Sequence, residues 1–551
     1  MGLIFAVIFV APLSYLIWYY GSISSLISIF SSHGFPSELW STIYPSGIGA
    51  GIAVFDATIY AWIVHRTDIP GKKIMSILPF LGLAIPAVLR GIGFVFLFSP
   101  STGLINLAFM RIFDVKFPLF NIFSNSGLIL AHATGAFPFS YIVMSAIIRG
   151  MDSSFEDSAR VAGSRVLTTL RRVTVPFLAP AIVTTFVLGF VYSAANFDYP
   201  FIFGSVSSSG IKTLATGVYD SISEELPPSY HAATALSMVY LMITLAAMTV
   251  YIWLVTRNSV RFSALQSTRE RRTAYGLGRW RYPALAICLF IVIISVYLLA
   301  FILFLVSLLP FYSWQPGILS ELTLSNYQSL FFGSSYASTF WNAFKNSIIV
   351  SLVTALSTAI IGAFLAYAAL KTKLRTSKFL EYFNSIPFGV PGVVFGFALL
   401  IVFLRTPLLS SLYGTIWPLI IGLTITWTAF SIRIQAPSIM QLPQEVEESA
   451  SVAGAKWFRM FRTVMMPMLK VSILVSFAYV FMDSFRELGT VYLLTTPSSY
   501  VLTTFIADLY SSSGASLPIV AAIASVMTAF LAIFLVIVNR AVGGRLLSDR
   551  D

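Results

Sequence analysis

Two stretches of this sequence repeat one spacing of acidic, small, glycine and proline residues. The first reads EDSARVAGSRVLTTLRRVTVP from Glu156 to Pro176, and the second reads EESASVAGAKWFRMFRTVMMP from Glu447 to Pro467. In each copy an acid precedes a glycine by six residues, and a proline follows that glycine by thirteen. The glycine permits a turn that a β-carbon would resist, and the small residues before it let another backbone or a foreign surface approach closely. The pattern therefore favours a surface that packs closely against another backbone or another protein.

Each of these cassettes is predicted to form two short helices hinged at its glycine. The matching positions are Glu156 and Glu447, Asp157 and Glu448, Ser158 and Ser449, Ala159 and Ala450, Ala162 and Ala453, Gly163 and Gly454, and Pro176 and Pro467. From Trp457 to Val464 apolar residues recur on one helical face and the arginines fall elsewhere. The prolines suit the start of the next span. A docking surface and an amphipathic helix pair lying on the membrane both fit these residues.

Membrane spans are the elements that must position the cassettes. Of 551 residues 57% are hydrophobic and only 10% are charged, whereas soluble domains are about a quarter charged. Apolar stretches long enough to cross the bilayer as helices are predicted at 3–20, 46–64, 76–98, 125–148, 178–198, 232–256, 285–309, 346–370, 383–404, 413–432, 470–485 and 517–538. The predicted fold class is an all-α polytopic membrane protein with about 12 transmembrane helices.

The distribution of basic residues in membrane proteins accounts for the net charge of +12. With both termini in the cytoplasm, most of the 34 basic residues fall in cytoplasmic loops, as the positive-inside rule requires, so we expect no nucleic-acid partner. The first twenty residues lack a basic leader, and no small-residue cleavage site follows. They predict a retained first span and not a signal peptide.

The spans divide into two halves of six, which form parallel repeats because six is even. A shift of 291 residues superposes Gly163 on Gly454 and Tyr219 on Tyr510 without a gap, which indicates an internal duplication. The predicted organisation is a first half at 1–256 with its cassette loop at 150–176, an arginine-rich cytoplasmic linker at 257–282, and a second half at 283–551 with its cassette loop at 441–467.

The cassettes resemble the EAA loop of ATP-binding-cassette (ABC) importer permeases, which lies between the fourth and fifth spans of a six-span half. The resemblance implies coupling helices that dock into separate ATPase subunits, a dimer, on the cytoplasmic side. The positions carried over are Glu156, Asp157, Ala159, Gly163 and Pro176, and Glu447, Glu448, Ala450, Gly454 and Pro467. The first copy departs from the family pattern at Asp157 and Ser158, where the family prefers Glu and Ala.

The fusion of two halves resembles the ferric iron permeases and the related thiamine and phosphonate permeases, in which one chain supplies both membrane halves. The stretches NFDYPFIFG from Asn196 and DSFRELGTVYLLTTP from Asp483 resemble the segments that close the fifth spans in that group. The resemblance implies type I importer architecture, an extracytoplasmic substrate-binding protein, and a prokaryotic inner membrane. It places ATP and magnesium on the partner ATPase, with no cofactor in this chain.

Catalytic and metal-binding motifs are absent from the sequence. It contains no G-x-x-x-x-G-K-[ST] phosphate loop, no H-E-x-x-H and no G-x-S-x-G, and it has one cysteine, Cys288, and four histidines. We therefore predict no catalytic residue, no metal site and no enzymatic activity in this chain. His132 is expected to have a hydrogen-bonded packing role.

Charged residues within or near the spans are the candidates for a substrate pathway, because burying them in lipid is costly. Asp198, Asp483, Arg486 and Glu487 lie near the outer ends of the two fifth spans. They could line the pathway, contact the external binding protein or form local salt bridges. For Asp56 and Arg90 we expect a structural pair or displacement towards an interface.

The leading hypothesis is the permease subunit of a binding-protein-dependent ABC importer. Ferric iron is the first expected substrate, with thiamine, phosphonate and polyamines as alternatives. An ion-coupled secondary transporter also fits twelve spans in parallel halves, but it needs acids buried within spans, for which only Asp56 is a candidate, and it leaves the cassettes unexplained. A membrane enzyme is the third alternative.

Overall fold

The computed structural model describes residues 2–152, 154–205, 210–265, 275–315, 317–333, 336–371, 386–512 and 516–541. These residues form helices and contain no strand, apart from an isolated backbone bridge between Thr67 and Tyr275. Such an architecture satisfies backbone polar groups within each segment, as the hydrocarbon layer requires. The predicted all-α fold class is confirmed.

The described residues of the first half form twelve helical segments. They are α1 (Gly2–Tyr20), α2 (Ile23–Phe30), α3 (Phe35–Arg66), α4 (Lys72–Ala84), α5 (Ala87–Phe98), α6 (Leu104–Phe113), α7 (Asn125–Gly150), α8 (Ser154–Val161), α9 (Val166–Ala194), α10 (Asp198–Ser205), α11 (Leu214–Ser223) and α12 (Tyr230–Leu265). The last of these helices extends beyond the predicted domain boundary at residue 256. Residues 266–274 of the predicted linker lie outside the described residues.

The described residues of the second half repeat this order with eleven principal segments. They are α13 (Gly278–Ser307), α14 (Ser325–Phe332), α15 (Ala337–Lys371), α16 (Gly392–Arg405), α17 (Trp417–Met440), α18 (Gln444–Val452), α19 (Trp457–Met468), α20 (Lys470–Arg486), α21 (Gly489–Tyr492), α22 (Leu502–Ser511) and α23 (Leu517–Ala541). Residues 383–385, the start of the predicted span 383–404, also lie outside the described residues. The rest of that span is represented by a 3₁₀ helix (Ile386–Gly389) and α16.

All twelve predicted spans have a helical counterpart. Among the described residues, eight helices are long and apolar enough to cross a membrane, and three bent pairs raise this number to eleven. The bends are α1 with α2 (85°), α4 with α5 (98°) and α19 with α20 (77°). The short apolar helix α16 is the remaining counterpart.

Small residues allow α3 and α7 of the first half to pack closely. On α3, Ala50, Ala53, Ala57 and Ala61 are fully buried. A β-carbon added to Gly49 would lie 2.5 Å from the Cβ atom of His132 on α7. Membrane helices associate mainly through van der Waals contact and hydrogen bonds, so small residues at an interface favour such close approach. α3 and α7 therefore form a closely packed pair next to the first cassette.

The described end of the linker, from Tyr275, returns to the first half. The backbone N–H of Tyr275 donates to the carbonyl of Arg66 at 2.8 Å, and the N–H of Asp68 donates to the carbonyl of Tyr275 at 3.2 Å. The N–H of Leu277 donates to the Asp68 carboxylate at 2.8 Å. The linker therefore ends beside the cassette end of α3 before the second half begins.

Candidate functional site

Each cassette folds into the same helix–turn–helix elbow. The first elbow comprises residues 154–169 and the second comprises residues 444–460. Gly163 and Gly454 have φ angles of 79° and 77°, and nothing lies within 4 Å of a β-carbon built at either position. Their conformation, and not a lack of space, therefore requires glycine. The predicted glycine hinges are present in the structure.

The backbone hydrogen bonds of the two turns match residue for residue. The N–H of Ser164 donates to the carbonyl of Ala159, and the N–H of Ala455 donates to the carbonyl of Ala450, both at 3.0 Å. Each glycine N–H donates to the residue three before it at 2.9 Å. These bonds satisfy carbonyls at the end of the first helix of each elbow.

Exposed apolar side chains flank both glycines. Val161 and Val452 are 89% and 90% exposed, and Leu167 and Phe458 are 75% and 66% exposed. Each pair is related by the 291-residue shift of the duplication. Exposed apolar patches that recur in this way indicate contact surfaces. These four residues were not predicted from the sequence, although their repeated apolar character beside the glycines could have revealed them.

The first acid of each cassette points into the protein. Glu156 is 1% exposed, accepts a hydrogen bond from the Thr174 hydroxyl at 2.7 Å, and lies 3.6 Å from the guanidinium of Arg66. Glu447 accepts a hydrogen bond from the Tyr367 hydroxyl at 2.9 Å. These two acids therefore fasten the elbows to α3 and α15, and do not line the exposed surface.

The second acid of each cassette lies at the surface. Asp157 pairs with Arg160 at 2.6 Å, and Glu448 accepts from the Gln444 side chain at 2.9 Å. Both contacts are local to the first helix of an elbow. Among the predicted acids, these two are available to a partner that covers the elbow.

The two prolines lie where each elbow joins its following span. Pro176 and Pro467 occupy the first turn of an α-helical segment, and a π-helical turn, Leu170–Thr174 or Phe461–Met465, precedes each of them. Proline lacks a backbone N–H and collides with the preceding turn of a regular helix, which a wider turn relieves. In the first half the helix continues unbroken to Ala194, whereas in the second half it bends by 77° just after Pro467.

A cavity of about 260 Å³ lies between the two halves. Its charged and phenolic lining residues are Arg90, Tyr192, Asp198, Tyr199, Tyr479, Asp483, Arg486 and Glu487. Trp427 of α17 also lines this cavity. The residue lies thirteen residues, or about 20 Å along the helix axis, before the end of α17 that leads to the second elbow. The structure thus brings together the four predicted pathway residues at this central cavity.

Two arginines of the central cavity connect the halves. Arg486 pairs with Asp483 within the second half and donates to the carbonyl of Leu83 in the first half at 2.5 Å. Arg90 of the first half donates to the carbonyl of Ser295 in the second half at 2.8 Å and also to Gly82. For Arg90 the sequence predicts a structural pair or displacement towards an interface. In the structure, backbone carbonyl groups accept hydrogen bonds from its guanidinium.

The remaining charged and histidine candidates have different surroundings. Asp56 lies on α3 and is not among the residues that line the central cavity. The buried ring of His132 packs edge to face on the ring of Tyr199, with 5.6 Å between centroids. Asp56, the one candidate acid of the secondary-transporter hypothesis, therefore does not line the central cavity.

Four aromatic rings close one end of the central cavity. Phe197, Phe201 and Tyr219 of the first half meet Tyr492 of the second half, with ring centroids 4.9 to 6.1 Å apart across the halves. Phe197 lines the central cavity, while Tyr219 and Tyr492 line a second pocket of about 330 Å³. We call these four rings the aromatic barrier.

The second pocket lies on the side of the bundle opposite the elbows. Its lining residue Pro497 neighbours Ser498, whose hydroxyl donates to the carbonyl of Gly414 at 2.7 Å, just before the start of α17. The second elbow follows the other end of this 24-residue helix, about 35 Å away. We call this space the far-side pocket.

The fold and the duplicated elbows define a class, the polytopic α-helical permeases that carry one membrane module twice. Comparison with known families agrees. The family described as binding-protein-dependent transport system inner membrane component matches residues 57–263 and 358–547. The chain belongs to this family of ABC importer permeases and carries its domain twice, which confirms the predicted family.

The chain is similar over most of its length to ferric transport permeases. It is 25% identical over 443 residues to a putative ferric transport system permease protein of Haemophilus influenzae, and 24% identical over 450 residues to one of Actinobacillus pleuropneumoniae. The matches cover 80% and 81% of this chain but slightly less than two thirds of the relatives, 66% and 62%. A molybdenum transport system permease protein of Escherichia coli is 26% identical over 195 residues, which are 35% of this chain and 82% of that protein.

Two solved structures of a bacterial alginate ABC transporter are also similar to part of the chain. One, in complex with a periplasmic protein, is 18% identical with a TM-score of 0.38 and covers 47% of this chain and 89% of its own. The other is 18% identical with a TM-score of 0.37 and covers 52% and 96%.

Proposed function

We propose that this chain forms the transmembrane pathway of a binding-protein-dependent ABC importer, and that its two elbows dock on separate ATPase subunits. The observation that carries the proposal is the pair of matching elbows, each with a valine about 90% exposed beside its glycine. Family membership supports the same role. The ATPase dimer supplies ATP and magnesium, and this chain performs no hydrolysis.

Each elbow is continuous with a helix that leads to the central cavity. In the first half, α9 runs from Val166 to Ala194, four residues before Asp198. In the second half, α19 and α20 run from Trp457 to Arg486, which lines the same cavity. A displacement of an elbow by the ATPase therefore moves one wall of the cavity, because packed helices transmit motion as rigid segments.

The aromatic barrier serves as the gate on the far side. It contains rings from both halves, so a change in the distance between the halves opens or closes it. In the described arrangement the rings are in contact and separate the central cavity from the far-side pocket. Closure of the ATPase dimer opens this barrier, and a binding protein docked on the far side then releases its ligand into the pathway.

Ferric iron is the proposed substrate, on the basis of similarity to two ferric transport permeases. Thiamine, phosphonate and polyamines remain the alternatives. The proposed location is the prokaryotic inner membrane, with both termini and both elbows in the cytoplasm. The arginines of the elbow regions support this orientation.

Valine substitution of the elbow glycine tests the proposal. Valine strongly disfavours the φ angle of 77° at Gly454, so Gly454→Val should distort the elbow and reduce stimulation of the ATPase by at least about tenfold. Gly414→Val is the matched control, since Gly414 has a φ angle of 88°, equally open surroundings and a position on the far side.

The measurement is ATPase activity and co-purification of the reconstituted complex. Equal loss of coupling in both variants would assign the effect to general strain and contradict the docking role of the elbow. Retention of full coupling in Gly454→Val would contradict it as well.

A further inference from the structure

The far-side pocket is lined by phenols around one carboxylate. Its aromatic and acidic lining residues are Tyr219, Tyr413, Tyr492, Tyr500 and Asp508. Among the described residues that line it, Asp508 carries the one formal charge, and there is no lysine, arginine or histidine. The pocket draws on both halves, because Tyr219 comes from the first half and the remaining four from the second.

Neutral donors hold the Asp508 carboxylate. The hydroxyl of Tyr492 donates to Oδ1 at 2.8 Å, and the hydroxyl of Tyr500 donates to Oδ2 at 2.5 Å. These bonds orient the carboxylate and leave its negative charge without a basic partner among the ion pairs of the described residues. On the corresponding helix of the first half, Asp220 is paired with Lys212 at 2.9 Å.

Phenols and a carboxylate together favour positive charge in two ways. Carboxylate and phenol oxygens are hard ligands for hard metal cations. Aromatic faces beside a carboxylate attract organic ammonium groups. An oxyanion gains neither interaction and is repelled by Asp508. The chemistry common to both favourable cases is a cation.

The position of the pocket makes this preference relevant to transport. Tyr219 and Tyr492 line the pocket and also belong to the aromatic barrier. A solute that crosses the barrier from the far side therefore passes Asp508 first. We propose that the far-side pocket is the receiving site of the permease and that it selects cationic substrates over oxyanions. The inference rests on the proposed function, since it assumes that the barrier lies on the substrate pathway.

Charged thiol reagents measure this selectivity without knowledge of the substrate. Thr495 lines the pocket and is half-buried, and the native Cys288 is fully buried, so Thr495→Cys provides one reactive thiol. The probes are the trimethylammonium-ethyl and sulfonato-ethyl methanethiosulfonates. Ser32→Cys, an exposed site at the loop before α3, provides the reference ratio of the two rates.

At Thr495→Cys, the ratio of the cationic reagent's rate to the anionic reagent's rate should be about ten times the same ratio measured at Ser32→Cys. Adding Asp508→Asn should return the ratio to the reference, while adding Asp220→Asn should leave it unchanged. A ratio that favours the anionic reagent, insensitivity to Asp508→Asn, or no reaction with either reagent would overturn the proposal.

Direct binding then distinguishes the two cation chemistries. Calorimetry on the purified full chain would use lanthanum(III) chloride as a redox-inert hard trivalent cation, thiamine and spermidine as organic cations, and molybdate and sulfate as oxyanions. Binding of a cation, weakened at least tenfold by Asp508→Asn, supports the site and identifies its chemistry. Binding of oxyanions alone, or of no cation, contradicts it.

Two further variants distinguish a loss of cation selection from a loss of folding and from a loss of ATPase coupling. Tyr492→Phe removes one donor to Asp508 and keeps the charge, so it should retain most of the cation preference even where Asp508→Asn reduces expression. Gly454→Val should change ATPase coupling and leave the reagent ratio unaltered. Failure of cation selection and failure of the proposed coupling are therefore distinguishable.

Discussion

The two elbows share one backbone and one exposed surface but are fastened to the bundle differently. The first is held by a buried ion pair between Glu156 and Arg66, which is 4% exposed. In the second, the Tyr367 hydroxyl of α15 donates to Glu447. The duplicated chain thus retained the turn and its exposed face while the internal anchor diverged, as expected if a partner of fixed shape contacts the face.

Aromatic packing adds to the anchor of the second elbow. The rings of Trp457 and Phe461 stack with centroids 5.6 Å apart, and Phe364 of α15 meets Trp457 edge to face at 5.2 Å. In the first elbow, Arg160 lies over the ring of Tyr275 at 5.6 Å. A linker residue thus packs on the first elbow, whereas a helix of the second half packs on the second elbow. Substitutions at these contacts should therefore change the stability of the two elbows by different amounts.

The largest expected effect comes from charging the shared surface. Val452→Asp and Val161→Asp each place a carboxylate where we propose that the ATPase covers an apolar side chain. Burial of that unpaired charge should weaken docking by about 3 kcal/mol, or roughly a hundredfold. Co-purification and ATPase stimulation check this. Leu408→Asp, at a residue 84% exposed on the far side, is the control and should retain both.

The second expected effect tests the ion pair of the first elbow. Glu156→Gln leaves the Arg66 guanidinium buried without a carboxylate and should lower the free energy of unfolding by about 3 kcal/mol. Thermal unfolding in detergent measures it. The double variant Glu156→Gln with Arg66→Met should recover much of the loss, and a loss equal to the sum of the two single changes would contradict the pairing.

The corresponding change in the second elbow should be smaller. Tyr367→Phe removes one neutral donor to Glu447 and keeps the ring packing, so the expected loss is about 1 kcal/mol. The same unfolding assay applies. A loss as large as that of Glu156→Gln would show that the two anchors are equivalent in strength and would remove the asymmetry.

The smallest expected effect concerns the linker contact. Burial, with the nearby Glu156 carboxylate adding to it, raises the pKa of Tyr275 to about 12, so its phenol stays neutral at physiological pH. Arg160 then contacts a neutral ring, and Tyr275→Ala should cost about 0.5–1 kcal/mol of stability in the first elbow. Tyr275→Phe keeps the ring and should be close to wild type. Hydrogen exchange of residues 154–169 measures the difference.

Spans and elbows could be predicted from the sequence because both have local signatures. Long apolar stretches specify membrane helices, and a glycine at positive φ between two short helices follows from spacing alone. The partner of Glu156 could not be predicted, because Arg66 lies 90 residues away and only the packing of α3 on the elbow brings them together. The same holds for the aromatic barrier, whose rings come from both halves.

The exposed valines illustrate a different limit. Val161 and Val452 are apolar residues in an amphipathic segment, and apolar residues there indicate either burial or membrane contact. Their exposure depends on how the elbow leaves the bundle, which the αL turn at Gly163 and Gly454 determines. The four pathway candidates were chosen for charge, and the central cavity that groups them depends on the packing of the two halves.

Site-specific cross-linking shows directly whether both elbows dock on the ATPase. Single cysteines at Val161 and Val452 would be treated with a short bifunctional thiol reagent in the complex with an ATPase that carries surface cysteines, Cys288 being fully buried. We expect both positions to cross-link to an ATPase subunit and to be shielded from water-soluble reagents when the ATPase is bound. Labelling of either position only from within the lipid, or only from the far side, would contradict it.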